Sequence, residues 1–299
     1  MRSGTPFRFV VEEGKIHEFA RATRSRCQEH LRPGDPVAPP TFLTASQLWM
    51  APEHSAWHGV KRDFRSVLHG EQEYVFHAGP LHAGDVLIGR QFIERTYEKQ
   101  GRRGGTMVFT DVVTRFWRAN EDEPVADMRS VSISVGSTAG LAAAAQSTPD
   151  DERPATGPST PDGERPLTLT DFVRYQGASG DFNPIHHDPA FARAAGYPGP
   201  FAVGMLAAGI AANRIAERVG TAAVRRLRIR FRSPAWPGDV LTYTLEEHAA
   251  AVSVTVTRPD GSVHLTATTE TGTGRKGPLL THGVNKGPFL PAAGQGEPS

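Results

Sequence analysis

An eight-residue turn occurs twice in this chain, as Pro80-Leu-His-Ala-Gly-Asp85-Val-Leu87 and, 154 residues later, as Pro234-Ala-Trp-Pro-Gly-Asp239-Val-Leu241. Each copy stands between runs that read as β-strands, Glu73 to His77 and Val86 to Thr96 around the first, Arg226 to Arg232 and Val240 to His248 around the second. Two further β-patterned runs follow in each half, Thr106 to Trp117 with Ala126 to Val135, and Val252 to Arg258 with Ser262 to Thr271. The chain therefore reads as two copies of one β-rich fold. Its 299 residues suit that reading, since roughly 150 residues make one ordinary domain. Strands do not alternate with helices and no Gly-rich turn follows a first strand, so a βαβ nucleotide-binding layout has no support.

Each copy begins with a helical pattern, clearest over Phe201 to Val219. Met205, Leu206, Ile210, Ile215 and Val219 are spaced for one buried stripe, and the alanines between them predict a helix covered nearly all round. A helix wrapped by an antiparallel sheet is the expected unit. Between Gly140 and Pro166 the apolar pattern stops and Pro, Asp, Thr and Gly take over, a composition that buries too little surface to offset its ordering entropy. The expected organisation is a first unit over 1–138, a flexible linker over 139–166, a second unit over 167–272 and a disordered tail over 273–299.

Lys plus Arg number 33 and Asp plus Glu 32, so the molecule carries no overall field for nucleic acid or an anionic membrane. No stretch of about 18 apolar residues occurs and the first residues are polar, which predicts a soluble cytoplasmic protein. The single cysteine, Cys27, cannot form an internal disulfide and reads as a buried bystander.

Chemistry concentrates just before the long helix, in Tyr175-Gln-Gly-Ala-Ser-Gly-Asp181-Phe-Asn183-Pro-Ile-His186-His-Asp188, followed through Gly196 to Gly204 and Leu206. Asp181 and His186, five residues apart around an Asn-Pro turn, can converge on one water. Asn183 neither gains nor loses a proton near neutral pH, so its role is to orient by hydrogen bonding. The helix start from Ala202 through Val203 to Gly204 offers unpaired N–H groups and the positive end of the helix dipole to a developing oxyanion. Gly204 is expected to let a ligand approach the backbone closely. Against this stands the plain alternative that Ser, Asp and Asn beside Gly and Pro are ordinary turn and cap residues, and that His186 is a satisfied structural histidine.

Ser179 through Asp188, extended to Gly204, resembles the signature of the MaoC-like dehydratases and (R)-specific enoyl-CoA hydratases. The stretches Ile16 to Ala22, Pro39 to Phe42 and Leu68 to Arg103 resemble the companion MaoC N-terminal dehydratase domain. The resemblance implies an α+β double hot-dog fold: two units, each a long central helix wrapped by a curved antiparallel sheet, forming a pseudo-dimer within the chain, with a homodimer as a further expectation. It implies an (R)-specific 3-hydroxyacyl-thioester dehydratase or 2-enoyl-thioester hydratase of fatty acid or polyketide metabolism, acting on acyl-CoA or on acyl carrier protein, with Asp181, His186 and Asn183 in the active site and no cofactor or metal. Many members have histidine just before the glycine where this chain has Val203. A thioester hydrolase and a non-catalytic acyl-thioester-binding partner are the competing readings.

Aligning Phe19 with Tyr175 places Ser25 where Asp181 stands and His30 where His186 stands. Without the carboxylate the first half is expected to be non-catalytic, to shape an acyl tunnel, and to tolerate alanine at Ser25 and His30. His54 and His58 could share a helix face, but no Glu follows His54 as a zinc-protease motif requires. Arg226, Arg228 and Arg230 alternate with apolar residues, giving a strand with one basic face that is either solvated or an anchor for coenzyme A phosphates or an acidic carrier protein.

Overall fold

The computed structural model describes residues 2–100, 105–119, 121–135, 159–160 and 165–271. Most of the expected linker and all of the expected tail lie outside them. The first half contains β1 (Phe7–Val10), α1 (Glu13–Ala22), α2 (Gln28–Leu31), a 3-10 helix over Phe42–Trp49, and then β2 (Val67–Phe76), β3 (Val86–Gln100), β4 (Thr106–Arg118) and β5 (Ala126–Val135). The two-residue strand β6 (Ser159–Thr160) falls inside the expected linker and pairs with β8. The second half contains α3 (Leu169–Ser179), α4 (Pro189–Ala194), α5 (Gly204–Val219), β7 (Val224–Phe231), β8 (Thr242–His248), β9 (Ala251–Thr257) and β10 (Val263–Thr271). No described helix is long and apolar enough to cross a membrane.

The described strands form a single sheet in the order β1-β3-β4-β5-β2-β7-β10-β9-β8-β6, and every named pairing is antiparallel. The halves meet where β2 pairs β7, with Gln72 opposite Ile229 and Tyr74 opposite Leu227. Each half thus covers the edge strand that the other would expose. This is the double hot-dog architecture expected from the resemblance.

The repeated turn has the same wiring in both halves. Asp85 accepts the N–H of His82 at 3.0 Å and pairs with Arg118, while Asp239 accepts the N–H of Trp236 at 2.9 Å and pairs with Arg258. Val11 and Leu167 donate to the backbone carbonyls of these same aspartates, each at 2.9 Å. Gly84 and Gly238 have φ of 90° and 93°, a left-handed turn that a side chain would strain. The repeat is therefore a turn that ties each half's leading segment to its sheet. Phe19 and Tyr175, at matching positions of α1 and α3, meet across the axis relating the halves with ring centroids 5.8 Å apart.

The central helices differ. In α5 every residue from Met205 to Ala216 is buried, as its alanine-rich pattern predicted. Its first-half counterpart is only the eight-residue 3-10 helix Phe42–Trp49, so the expectation of a long helix in each half holds for the second alone. Pro52 shortly follows it and removes the N–H that a longer helix would need.

Candidate active site

The motif residues occupy the passage from α3 to α5. Thr168 and Asp171 form a capping box that starts α3, and the helix stops at Gly180 in left-handed conformation. The chain then folds back on itself through short local bonds. Asp181 Oδ1 accepts the N–H of Asn183 at 3.3 Å, and Asn183 Oδ1 accepts the N–H of Ile185 at 3.2 Å. Asp188 caps α4 by accepting from Ala190 at 2.8 Å and Phe191 at 3.1 Å, the turn-fixing role its place in the sequence suggested. His187 leans on the side-chain amide of Gln176 and so belongs to the support of the turn.

His186 is buried, and its Nδ1 lies 2.9 Å from the carbonyl oxygen of Phe201. A carbonyl can only accept, so Nδ1 carries the proton and Nε2 carries the lone pair. Burial is the main force holding the imidazole below its ordinary pKa; the Asp181 carboxylate and the Phe201 carbonyl oppose it without reversing it. At neutral pH the ring is therefore a neutral base, within the electrostatic reach of an acid that His186's own environment registers. Behind it stands an aromatic wall: Phe201 meets the His186 ring edge-on at 5.1 Å, and Tyr197 and Trp236 pack against Phe201. Trp236 comes from the repeated turn, which thereby supports the site in the second half.

The helix start needs one correction and one addition. Ala202 donates its N–H to Ala235 at 2.8 Å and is not available to a ligand. Gly204 also has a packing role: a Cβ there would lie 2.9 Å from the ring of Phe231, so the absent side chain makes room for a phenyl ring. Val203 precedes α5 as its N-cap and offers no side-chain cap, and Leu206 is the first residue bonded back, to Val203 at 2.9 Å. Among the described residues the N–H groups of Gly204 and Met205 have no acceptor, and these carry the positive end of α5.

Among the described residues, the first-half positions aligned with Asp181 and His186 are arranged differently. Ser25 Oγ lies 2.7 Å from His30 Nδ1 and Thr221 Oγ1 lies 2.8 Å from His30 Nε2, so both ring nitrogens are engaged inside a fully buried pocket. Burial pushes this imidazole down to about 4. Ligand atoms of Cys27, Glu29 and His30 cluster within 4.8 Å, but the nitrogens are in use and burial pushes the Cys27 thiol up to about 11, which opposes metal binding. His54 ends a short 3-10 helix and contacts Thr5 at 2.9 Å, while His58 lies beyond it in a turn, so the two do not share a helix face.

Arg226, Arg228 and Arg230 lie on the outer face of the sheet and are committed to the seam between the halves. Arg226 pairs with Glu73 at 2.7 Å, and Arg228 and Arg230 pair with Glu71 at 2.9 and 3.1 Å. Arg129 joins Glu71 at 3.3 Å and Asp111 at 2.6 Å. The stripe read as a phosphate or carrier-protein anchor also forms the second half's share of an ion-pair ladder, for which the first half supplies the carboxylates. Those partners were out of reach of sequence reasoning, because pairing depends on which strands become neighbours.

Fold and geometry together define a double hot-dog protein whose second half carries the candidate site. Residues 152–271 match the family described as "MaoC like domain", and residues 1–128 match the "FAS1-like, dehydratase domain region". The second half is thus a MaoC-like dehydratase domain and the first a FAS1-like dehydratase region, in line with the resemblance read from the sequence. The chain is similar to the peroxisomal enoyl-CoA hydratase 2 of Arabidopsis thaliana, 28% identical over 214 residues, covering 68% of this chain and 67% of that protein. It is 41% identical over 63 residues to the peroxisomal hydratase-dehydrogenase-epimerase of Saccharomyces cerevisiae, covering 21% of this chain and only 7% of that much longer protein. A MaoC-like dehydratase structure from Phytophthora capsici shares the fold with a TM-score of 0.68 at 18% identity, over 91% of this chain and 95% of the other.

Proposed function

We propose that this protein adds water to, and removes it from, the C2–C3 bond of an acyl thioester, as an (R)-specific 2-enoyl hydratase or 3-hydroxyacyl dehydratase. The observation that supports the reading most is the Nδ1 contact of His186 with the Phe201 carbonyl, which leaves the Nε2 lone pair free, with the Asp181 carboxylate near enough for its charge to act on the ring. A water between them donates one hydrogen to each acceptor, which leaves an oxygen lone pair for attack on C3. As the C3–O bond forms, one proton passes to the dyad and negative charge moves onto the thioester oxygen, where the N–H groups of Gly204 and Met205 stabilise it. Collapse of the enolate returns a proton from the dyad to C2, so one water is consumed and nothing else is needed. Asn183 keeps the turn closed and holds Asp181 and His186 on the same side of it. The similarity to enoyl-CoA hydratase 2 supports the same chemistry.

The acyl chain then runs from α5 toward the seam, only one face of its double bond meets the dyad, and the 3-hydroxy product has R configuration. Since the same dyad handles hydroxyl and proton, addition is syn. Hydration of 2-octenoyl-CoA in deuterated water, followed by chiral analysis, tests both points. The expected result is the (3R) product with deuterium on the same face and no free thiol released. An S product, or thiol release in place of hydration, overturns the reading; anti addition requires a second proton donor.

A further inference from the structure

His69 belongs to the first half, yet its ring reaches the second half's site. Along β2 the outward residues Glu71 and Glu73 carry the ion pairs, while Gln72, Tyr74 and Phe76 are buried on the inner face. Strict alternation would put His69 outside with the glutamates. It does not, because the pairing of β2 with β5 shifts register between His69 and Glu71. The extra residue is Gly70, where a Cβ would lie 2.6 Å from Ile133, and one inserted residue moves everything before it to the opposite face. Bulges of this kind re-aim side chains beside reaction sites.

The re-aimed ring lies against Phe231, centroids 4.7 Å apart, and Phe231 is the residue that fills the space beside Gly204. The neighbouring Leu68 packs against the buried cluster of Ile185, Ala192, Ala195 and Tyr197 next to His186. The charge of Asp181 acts on the His69 ring, which is exposed to solvent although protein crowds round it. His69 Nε2 lies 3.1 Å from the Glu71 carbonyl oxygen, so Nε2 carries the proton and Nδ1 carries the lone pair, with the side chain of Gln72 beside the ring. One phenyl ring thus separates an acceptor of the first half from the helix start of the second.

We infer that His69 is a substrate-binding residue that accepts, at Nδ1, a hydrogen bond from the first amide N–H of the pantetheine arm shared by coenzyme A and carrier-protein thioesters. This rests on the thioester carbonyl being held at the start of α5. The first amide of that arm comes two methylene groups beyond the sulfur, a reach that matches the width of the intervening phenyl ring. The first half then contributes more than wall and sheet: it reads the carrier arm while the second half performs the reaction. Acyl groups lacking the amide gain nothing from it.

The full-length protein and its His69→Ala and His69→Gln variants are compared in two ways. Calorimetric binding of octanoyl-CoA, which cannot react, should weaken about three- to tenfold in His69→Ala, the scale of one hydrogen bond, and recover largely in His69→Gln, whose amide oxygen is again an acceptor. In turnover, KM for 2-octenoyl-CoA should rise by the same factor with kcat changed less than about twofold, while the S-ethyl thioester of the same acid should be unaffected. Unchanged octanoyl-CoA affinity in His69→Ala overturns the inference, as does an equal loss of kcat on both esters, which would put His69 in the chemistry. If the unaltered protein hydrates no enoyl thioester, the proposed function fails, yet the octanoyl-CoA titration still decides for or against His69.

Discussion

His186 donates its Nδ1 proton to the carbonyl oxygen of Phe201, 2.9 Å away, and this bond leaves Nε2 unprotonated. Replacing His186 with Ala or Asp181 with Asn should each lower kcat by at least about a hundredfold, the usual scale for a positioned acid or base. Thermal midpoints should move little for Asp181→Asn. His186→Gln should recover no activity, because an amide cannot accept a proton at neutral pH.

His30 should behave differently. It is fully buried between Ser25 and Thr221, so His30→Ala opens a cavity and strands two polar partners. The expectation that alanine is tolerated there then applies to turnover per folded molecule and not to stability. Urea unfolding should show a loss of about 2–4 kcal/mol, with kcat of the folded fraction near that of the unaltered protein. A loss of kcat as large as that of His186→Ala would show that the first half also reacts.

Acid should destabilise the fold through its buried histidines. Burial pushes His30 and His264 down to about 4, against 6.5 for the free side chain. Between these limits the unfolded chain binds more protons than the folded one, so stability rises with pH. It is full above pH 6.5 and lost progressively as pH falls to about 4. Denaturant midpoints across that range should fall toward acid, and the slope should be shallower in His264→Asn.

Gly204→Ala tests the packing explanation for that glycine. The new methyl group meets the Phe231 ring at 2.9 Å, an overpacking that costs about 1–3 kcal/mol and shifts the first turn of α5. Phe231→Leu in the same chain should restore much of the stability. If the double variant is no more stable than Gly204→Ala, the ring is not what excludes a side chain.

At the seam, burial works to raise the Glu71 carboxyl, but Arg228 and Arg230 outweigh it and hold it below its usual value. Glu71→Gln leaves Arg129, Arg228 and Arg230 facing one another without their shared carboxylate. It should cost about 1–2 kcal/mol, more in low salt than in high, and should leave KM for acyl-CoA unchanged. A raised KM with unaltered stability would return these arginines to the role of a phosphate anchor.

The sequence by itself determined what depends on neighbours along the chain. Strand β5 falls at its predicted bounds and β3, β4 and β7 to β10 within a few residues, because period-two burial is local; the buried α5 was legible from its alanines, and the turn from Ser179 to Asp188 from residues that cap and bend their own backbone. The start of β2 was not visible, since Gly70 breaks the alternation there. What only tertiary structure decided involves residues far apart in the chain. Asp239 caps its own turn locally, but the join of β2 to β7 gave Arg226, Arg228 and Arg230 their glutamates, the approach of β7 to α5 set Phe231 on Gly204, and the fold of the second half brought Phe201 to His186. Each is a contact between groups with no fixed separation in sequence. Their partners are set by sheet order and register, which a pattern read along one strand does not contain.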